Sequence, residues 1–243
     1  MVWNMVKEIR AFKGSIVRLI ATSDTHTYVN VNDIPEGDVF IHAGDLMTTG
    51  YLDDWYEQLE WLNALEHKIK IFVPGNHDFH LQNYPGPALQ DMRKIGVTVL
   101  GYPGNENYET YTLPNGCTIG GCSYVSGLGN RWAFGENTFK YFDCDPKKMI
   151  NRVISGCDIV VTHAPFYGIL DTSLRNGKSA GEIMFKTTLD RLLDSENTRI
   201  STIIHGHIHE QYGHVTYRGV DIFNVAMCDR SGKHENSPIV IDL

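Results

Sequence analysis

Residues 203–211 read I-I-H-G-H-I-H-E-Q, three histidines within five positions directly after an apolar run. A polar ring is costly to bury unless something in the interior engages it. The crowding of His205, His207 and His209 where a strand should end therefore asks for a shared partner. The same arrangement recurs upstream. S-I-V-R-L-I-A-T leads into Ser23-Asp24-Thr25-His26, and D-V-F-I-H-A leads into Gly44-Asp45. K-I-K-I-F-V leads into Pro74-Gly75-Asn76-His77-Asp78, and C-D-I-V-V leads into Thr162-His163. Short apolar, β-branched runs bounded by turn signals read as buried strands. Five strand ends thus deliver Asp, His or Asn.

Helical periods lie between them. Leu52, Trp55, Leu59, Leu62 and Leu65 keep one. Pro146 follows Asp145 as a first-turn proline behind a cap, opening a helix through Ile150 and Val153. Ser179 and Glu182 read as a capping box ahead of Ile183, Leu189, Leu192 and Leu193. Strands alternating with helices predict an α/β fold with a partly parallel sheet. In such sheets ligands gather beyond the carboxyl ends of the strands, where all five motifs stand. Residues 96–101, 108–113 and 118–124, a hairpin around Tyr217-Arg218-Gly219-Val220 and the closing S-P-I-V-I-D-L read as further strands. They predict a second, more antiparallel sheet packed on the first.

The chain has 243 residues, 42% apolar and 21% charged, the composition of an ordinary globular protein. Residues 1–243 are expected to form a single domain. A net charge of −8 argues against a duplex nucleic-acid partner, which needs a basic face. Small anionic substrates remain open if a local positive centre outweighs the background. The five cysteines form no C-x-x-C pair and read as reduced thiols. The first residues lack a continuous apolar segment, and no stretch approaches the ~18 apolar residues of a membrane span. The expectation is a cytoplasmic protein with no membrane contact; its oligomeric state is left open.

Asp24 and His26 are two apart, as are His207 and His209. In extended chain such pairs face the same side, so each pair is expected to present two ligands to one place. Asp45 adds a carboxylate able to bridge two ions, Asn76 a neutral oxygen and His163 another imidazole. These seven are enough for two divalent ions. A nitrogen and oxygen set without thiolates suits manganese, iron, zinc, nickel or cobalt and not a structural zinc site. Two such ions outweigh the charges of Asp24 and Asp45, leaving a positive centre that holds phosphate and acidifies water.

The ordered motifs D-x-H, G-D, G-N-H-D, H and G-H-x-H resemble those of the calcineurin-like metallophosphoesterases. S-D-T-H, H-A-G-D, T-H-A-P, G-H-I-H-E-Q-Y-G, N-R-W-A-F and S-P-I-V-I-D-L look most like its metallophosphoesterase-domain-containing, class III-type phosphodiesterase branch. The resemblance implies a two-sheet β-sandwich flanked by helices, in four α/β/β/α layers. It implies that Asp24, His26, Asp45 and His209 hold one metal, and Asp45, Asn76, His163 and His207 the other, manganese foremost. It makes His77 the histidine that faces phosphate and leaving group, beside Asp45 and Asn76 as catalytic residues, with a metal-bridging hydroxide attacking in line. The superfamily's protein phosphatases carry G-D-x-x-D-R-G and G-N-H-E-S-R. This chain has G-D-L-M-T-T-G and G-N-H-D-F-H, so both arginines are missing, and with the D-R-G aspartate goes the expected partner of His77.

Without those clamps a monoanionic diester is expected over a dianionic monoester. Small phosphodiesters are the expected substrates, with cyclic nucleotides, 2′,3′-cyclic above all, the natural class. The alternatives are a nuclease or broad-specificity phosphatase on the same site, or a non-catalytic scaffold, against which the full ligand set speaks. Asn130, Arg131, Trp132 and Phe134 are the candidate substrate contacts, their rings able to stack on a base. His42 is expected to pack or to support a ligand, and His205 to sit at the strand end outside the ligand set.

Overall fold

The computed structural model describes residues 16–27, 30–104, 110–127 and 132–243. Thirteen strands are described: β1 (Arg18–Thr22), β2 (Val39–His42), β3 (Ile69–Phe72), β4 (Val97–Val99), β5 (Thr110–Thr112), β6 (Thr118–Cys122), β7 (Ile159–Thr162), β8 (Thr172–Ser173), β9 (Lys178–Ser179), β10 (Thr202–His205), β11 (Gly213–Tyr217), β12 (Val220–Asn224) and β13 (Ile239–Asp242). The helices are α1 (Leu52–Ala64), α2 (Phe79–Asn83), α3 (Pro85–Lys94), α4 (Glu136–Tyr141), α5 (Pro146–Gly156) and α6 (Ile183–Asp194). One sheet runs β13-β1-β2-β3-β4 and the other β11-β12-β10-β7-β6-β5, with β8-β9 a small ribbon.

Side chains alternate across each strand, and this builds the layers. Leu19, Ala21, Val39, Ile41 and Ile71 meet Ile119, Ile159, Val161 and Ile204 between the sheets. Their neighbours Ile20, Phe40 and Phe72 face outward onto Trp55 and Leu62 of α1 and Met92 of α3. On the far side Val160, Ile203 and Ile222 pack against Ile150 and Val153 of α5 and Phe185 and Leu189 of α6. The result is the expected helix–sheet–sheet–helix sandwich. The Tyr217–Val220 hairpin forms, with Arg218 and Gly219 both at positive φ, +50° and +84°, as a two-residue turn between strands requires. Asp145 caps α5 by accepting from the amides of Lys147 and Lys148.

Other expectations change. The five motif strands are shared between sheets: β1, β2 and β3 in one, β7 and β10 in the other. The strands at 97–99 and 239–242 join the first sheet, β4 parallel to β3 and β13 antiparallel to β1. The second sheet is parallel through β6-β7-β10-β12 and antiparallel only at its edges. Apolarity alone does not say which neighbour each strand takes. Only 110–112 of the strand expected at 108–113 is described as a strand. The capping box at α6 does not form: Ser179 pairs in the β8-β9 ribbon, and Glu182 accepts from the Ser126 amide at 2.5 Å. Among the described residues no helix is long and apolar enough to cross a membrane.

Candidate metal centre

The carboxyl ends of β1, β2, β3, β7 and β10 converge at one edge of the sandwich. The loops leaving them are not extended. Asp24, His26, Asp45 and His207 all take positive φ, at +52°, +45°, +56° and +71°. Such conformations cost roughly 1–3 kcal/mol each and persist where the surroundings enforce them. Here the amide of Asp24 donates to Gly44 O at 2.9 Å and that of His26 to Asp45 O at 3.2 Å, lacing the two loops together. Asp78, fully buried, accepts from the amides of Gly75 (2.7 Å), Asp45 (3.0 Å) and Met47 (3.1 Å). Gly206 lies so close to the first loop that a Cβ would overlap Ser23 Oγ and Asp24 Oδ2. That approach lets the amide of His207 reach Asp24 Oδ2 at 3.0 Å.

The seven expected ligands come together as two adjoining groups. Asp24, His26 and His209 have ligand atoms within 4.8 Å of one another, and so do Asp45, His163 and His207. Asn76 joins the second, its Oδ1 being 3.1 Å from His163 Nε2. His207 and His209 therefore face different groups, not one place as extended spacing would have it. The left-handed turn at His207 and the 3-10 turn His209–Gln211 rotate them apart. Asn224 fixes that turn by donating to Ile208 O at 2.8 Å.

Three of the imidazoles are aimed by the same device. Nδ1–H of His26 donates to Met47 O (3.1 Å), that of His163 to Ala43 O (2.8 Å) and that of His209 to Asp229 O (3.0 Å). A carbonyl can only accept, so each Nε2 points inward. His26 Nε2 then faces His209 Nε2 at 3.4 Å, and His163 Nε2 faces Asp45 Oδ2 at 3.2 Å. Lone pairs converging on lone pairs are stable only with cations or protons between them. This donor set fits divalent ions.

The protons show where charge is wanted. Burial opposes ionisation of Asp45, yet His163 holds its carboxyl well below the usual range. Asp24 is held low in the same way by His209, again against burial. Burial alone would lower His163, but the Asp45 carboxylate carries it up to about 9. His209 likewise rises to about 9 against burial, through its hydrogen bond to Asp24. Burial and the His163 charge push His207 down to about 4, and burial lowers His26. In each group the carboxyl is drawn towards its ionised form and one imidazole towards its charged form, while burial drives a second imidazole towards neutrality.

His77 lies at the open side. Its amide donates to Asp45 Oδ1 at 2.8 Å, and its Nδ1–H donates to Thr48 O at 2.7 Å. Its Nε2 is 4.0 Å from Asp45 Oδ2. Thr48 occupies the place of the missing D-R-G aspartate, so a main-chain carbonyl replaces the carboxylate that would orient the ring. A cleft of about 560 Å³ opens here, lined by His26, Asp45, His77, Trp132, His209 and Arg230 among others.

Trp132 lines the cleft, its ring 4.6 Å from that of His77. Phe134, expected beside it, is instead fully buried in the core, edge-on to Tyr102, and lines no part of the cleft. Phe139 of the same segment is buried too. Asn130 and Arg131 lie outside the described residues. His42 and His205 are fully buried and belong to neither group. Burial takes them down to about 3 and about 4, with His42 bonded to Thr25 Oγ1 at 2.9 Å. Sequence reasoning missed Arg230, on the Asp229–Lys233 turn that also receives the His209 bond; a lone D-R-S-G-K carries no motif signal. It also missed the bracing by Asp78, whose adjacency to His77 was visible but whose reach to three amides was not.

The profile of the calcineurin-like phosphoesterase family matches residues 17–211. Human metallophosphoesterase domain-containing protein 1 is 28% identical over 243 aligned residues, spanning 93% of this chain and 71% of that protein. A UPF0046 protein of Caenorhabditis elegans is 26% identical, spanning 93% and 81%. Among solved structures, a dimetal phosphatase from Danio rerio superposes with a TM-score of 0.55 at 10% identity, over 86% of each chain. A Thermus thermophilus protein, TT1561, gives 0.54 at 12% identity, over 94% of this chain and 99% of that one. At such identities these two likenesses are likenesses of fold.

Proposed function

This chain belongs to the calcineurin-like phosphoesterase family, and from that premise we propose that it is a two-metal phosphodiesterase of small diesters, with 2′,3′-cyclic nucleotides the foremost substrates and manganese the foremost metal. Phosphoester hydrolysis at a dinuclear centre goes with the family; the diester, the nucleotide and the metal are the proposal. The observation that carries it is the pair of ligand groups, Asp24-His26-His209 and Asp45-His163-His207, with His77 Nε2 4.0 Å from the Asp45 carboxylate. Bound ions supply Lewis acidity at phosphorus and make water acidic enough to attack near neutral pH. Asp24, His26 and His209 would hold one, and Asn76, His163 and His207 the other, with Asp45 between.

The chain's own residues do the rest. Thr48 O fixes the His77 ring so that Nε2 faces the cleft, where the protonated form can donate to the departing oxygen. The two positions at which the superfamily's protein phosphatases carry arginine hold Thr49 and His80. Thr49 has no charge, and His80 is buried against Trp55, ring centroids 5.0 Å apart. A dianionic phosphate lacks its clamps. Arg230 is the one arginine or lysine lining the cleft among the described residues, a match for the single charge of a diester.

Arg230 also favours a second reading, a phosphomonoesterase with its clamp supplied from the Asp229–Lys233 turn. The test separates them. The metal is stripped, Mn²⁺, Fe²⁺, Zn²⁺, Ni²⁺ or Co²⁺ is returned singly, and bis(p-nitrophenyl) phosphate is compared with p-nitrophenyl phosphate. Diester turnover well above monoester turnover is expected, highest with Mn²⁺. A monoester preference at saturating metal overturns the diesterase reading.

A further inference from the structure

Beside the metal cleft lies a second cavity of about 690 Å³, lined by Thr49, Leu52, Phe79, Asn83 and three tyrosines. Those tyrosines are unusual in their exposure: Tyr51 71%, Tyr84 59% and Tyr56 53%. Singly, exposed rings need no explanation; gathered with Leu52 around one hollow, they mark a binding surface. The two hollows are neighbours, divided by the Phe79–Trp132 ring pair. Thr48 lines the first and Thr49 the second. Phe79, in the second, stacks on Trp132, in the first, at 6.2 Å and 28°. His77 stands at the junction, 4.6 Å from the Trp132 ring and 6.5 Å from that of Phe79.

We infer that this tyrosine-lined hollow is a subsite for the planar base of the substrate, so that a phosphodiester bridges the two cavities with its phosphate at Asp45 and its base among Phe79, Tyr51 and Tyr84. The inference rests on the proposed function and deepens it. His77, the proposed proton donor to the departing ester oxygen, stands between the cleft and the aromatic hollow, in ring contact with Trp132 and Phe79. In a 2′,3′-cyclic nucleotide that oxygen stays on the ribose that carries the base. A base offers two apolar faces to such rings and polar edges to the Asn83 amide and the tyrosine hydroxyls. The cleft alone, with Trp132 as its only ring besides the histidines among the described residues, has less to hold a base.

The test uses Tyr51→Ser, Tyr84→Ser and the double variant. Tyr51 and Tyr84 are the cap residues of α1 and α3, and neither side chain makes a capping bond. Serine is a favoured residue there, so the variants keep their helices. Two cyclic diesters with the same strained phosphate are compared: adenosine 2′,3′-cyclic phosphate and glycerol 1,2-cyclic phosphate. In the double variant KM for the nucleotide is expected to rise on the order of tenfold or more. The kcat should stay within about twofold and the glycerol diester should be unaffected, as the loss of uniform binding requires. No KM change, or equal changes for both, overturns the subsite and leaves the tyrosines to a protein partner. Fluorescence quenching by adenosine on metal-free protein gives a readout apart from turnover. If the wild type hydrolyses no diester yet adenosine quenches it only when the tyrosines are present, the phosphodiesterase reading falls and the base subsite stands.

Discussion

The two ligand groups are built from the same chemistry and placed in different surroundings. Asp45 and His163 are deeply buried, with side chains 3% and 0% exposed, and their loops follow directly from β2 and β7. His209 is 19% exposed and rides on a 3-10 turn, opposite His26 on the loop after β1, with only Asp24 fully buried. The Asp45–His163 pair is buried directly behind two strand ends, whereas His209 is partly exposed on its 3-10 turn. Burial strengthens electrostatic pairing and slows exchange with water. An ion at Asp45 and His163 should therefore be held firmly, and one at His26 and His209 should exchange.

The largest effect that could break this comparison is the loss of Asp45, the residue proposed to bridge the two ions. Asp45→Ala is expected to lose both ions and to lower turnover by more than about a hundredfold, since even residues behind a ligand cost roughly 10–100-fold. Full metal content with wild-type turnover would remove Asp45 from its bridging place. His77→Ala comes next, at roughly 10²–10⁴ in kcat, with both ions retained. Its sharper reading is leaving-group dependence: esters of poor leaving groups should lose most. Equal losses for activated and unactivated esters would leave His77 an electrostatic role and no proton to deliver.

A smaller effect separates the groups directly. His209→Ala should yield protein that keeps about one ion through dialysis, whereas His163→Ala should lose the firm site. Metal analysis after timed dialysis reads this, and loss of the same ion from both variants would erase the distinction. The smallest effect is in the protons. His163 and His209 are carried up to about 9, so near neutral pH each ion must displace about one proton. Affinity should rise with pH up to about 9 and then level. Calorimetry in buffers of different ionisation enthalpy counts the protons released. For the metal-free fold the sign is opposite. A raised histidine stabilises fully below its unfolded value near ~6.5, and that support is lost as pH rises through about 9. Metal-free protein should thus melt earlier at about pH 9 than at about pH 6.5.

Much of this site was legible because its residues stand where apolar runs stop. Strand ends at one edge of an α/β sandwich meet, so Asp24, Asp45, Asn76, His163 and His207 could be brought together without knowing the sheet order. The order itself was not legible. β4 and β13 carry the same apolar pattern as strands of the second sheet, and pairing is decided by packing along the whole chain. The divergence of His207 and His209 was hidden because it depends on a left-handed turn at a histidine, which no spacing rule anticipates. The partner of His77 was hidden because it is a backbone carbonyl, which leaves no trace in residue type. Trp132 and Phe134 look alike in sequence, and only the core around Tyr102 tells which one is buried.

The central claim is that two ions act together at Asp45. It is tested most directly by titrating metal-stripped protein with Mn²⁺ while bound metal and diester turnover are followed in the same samples. Two ions per chain are expected, with turnover small after the first and rising with the second. Full turnover at one ion per chain, or turnover in metal-stripped protein, would contradict it.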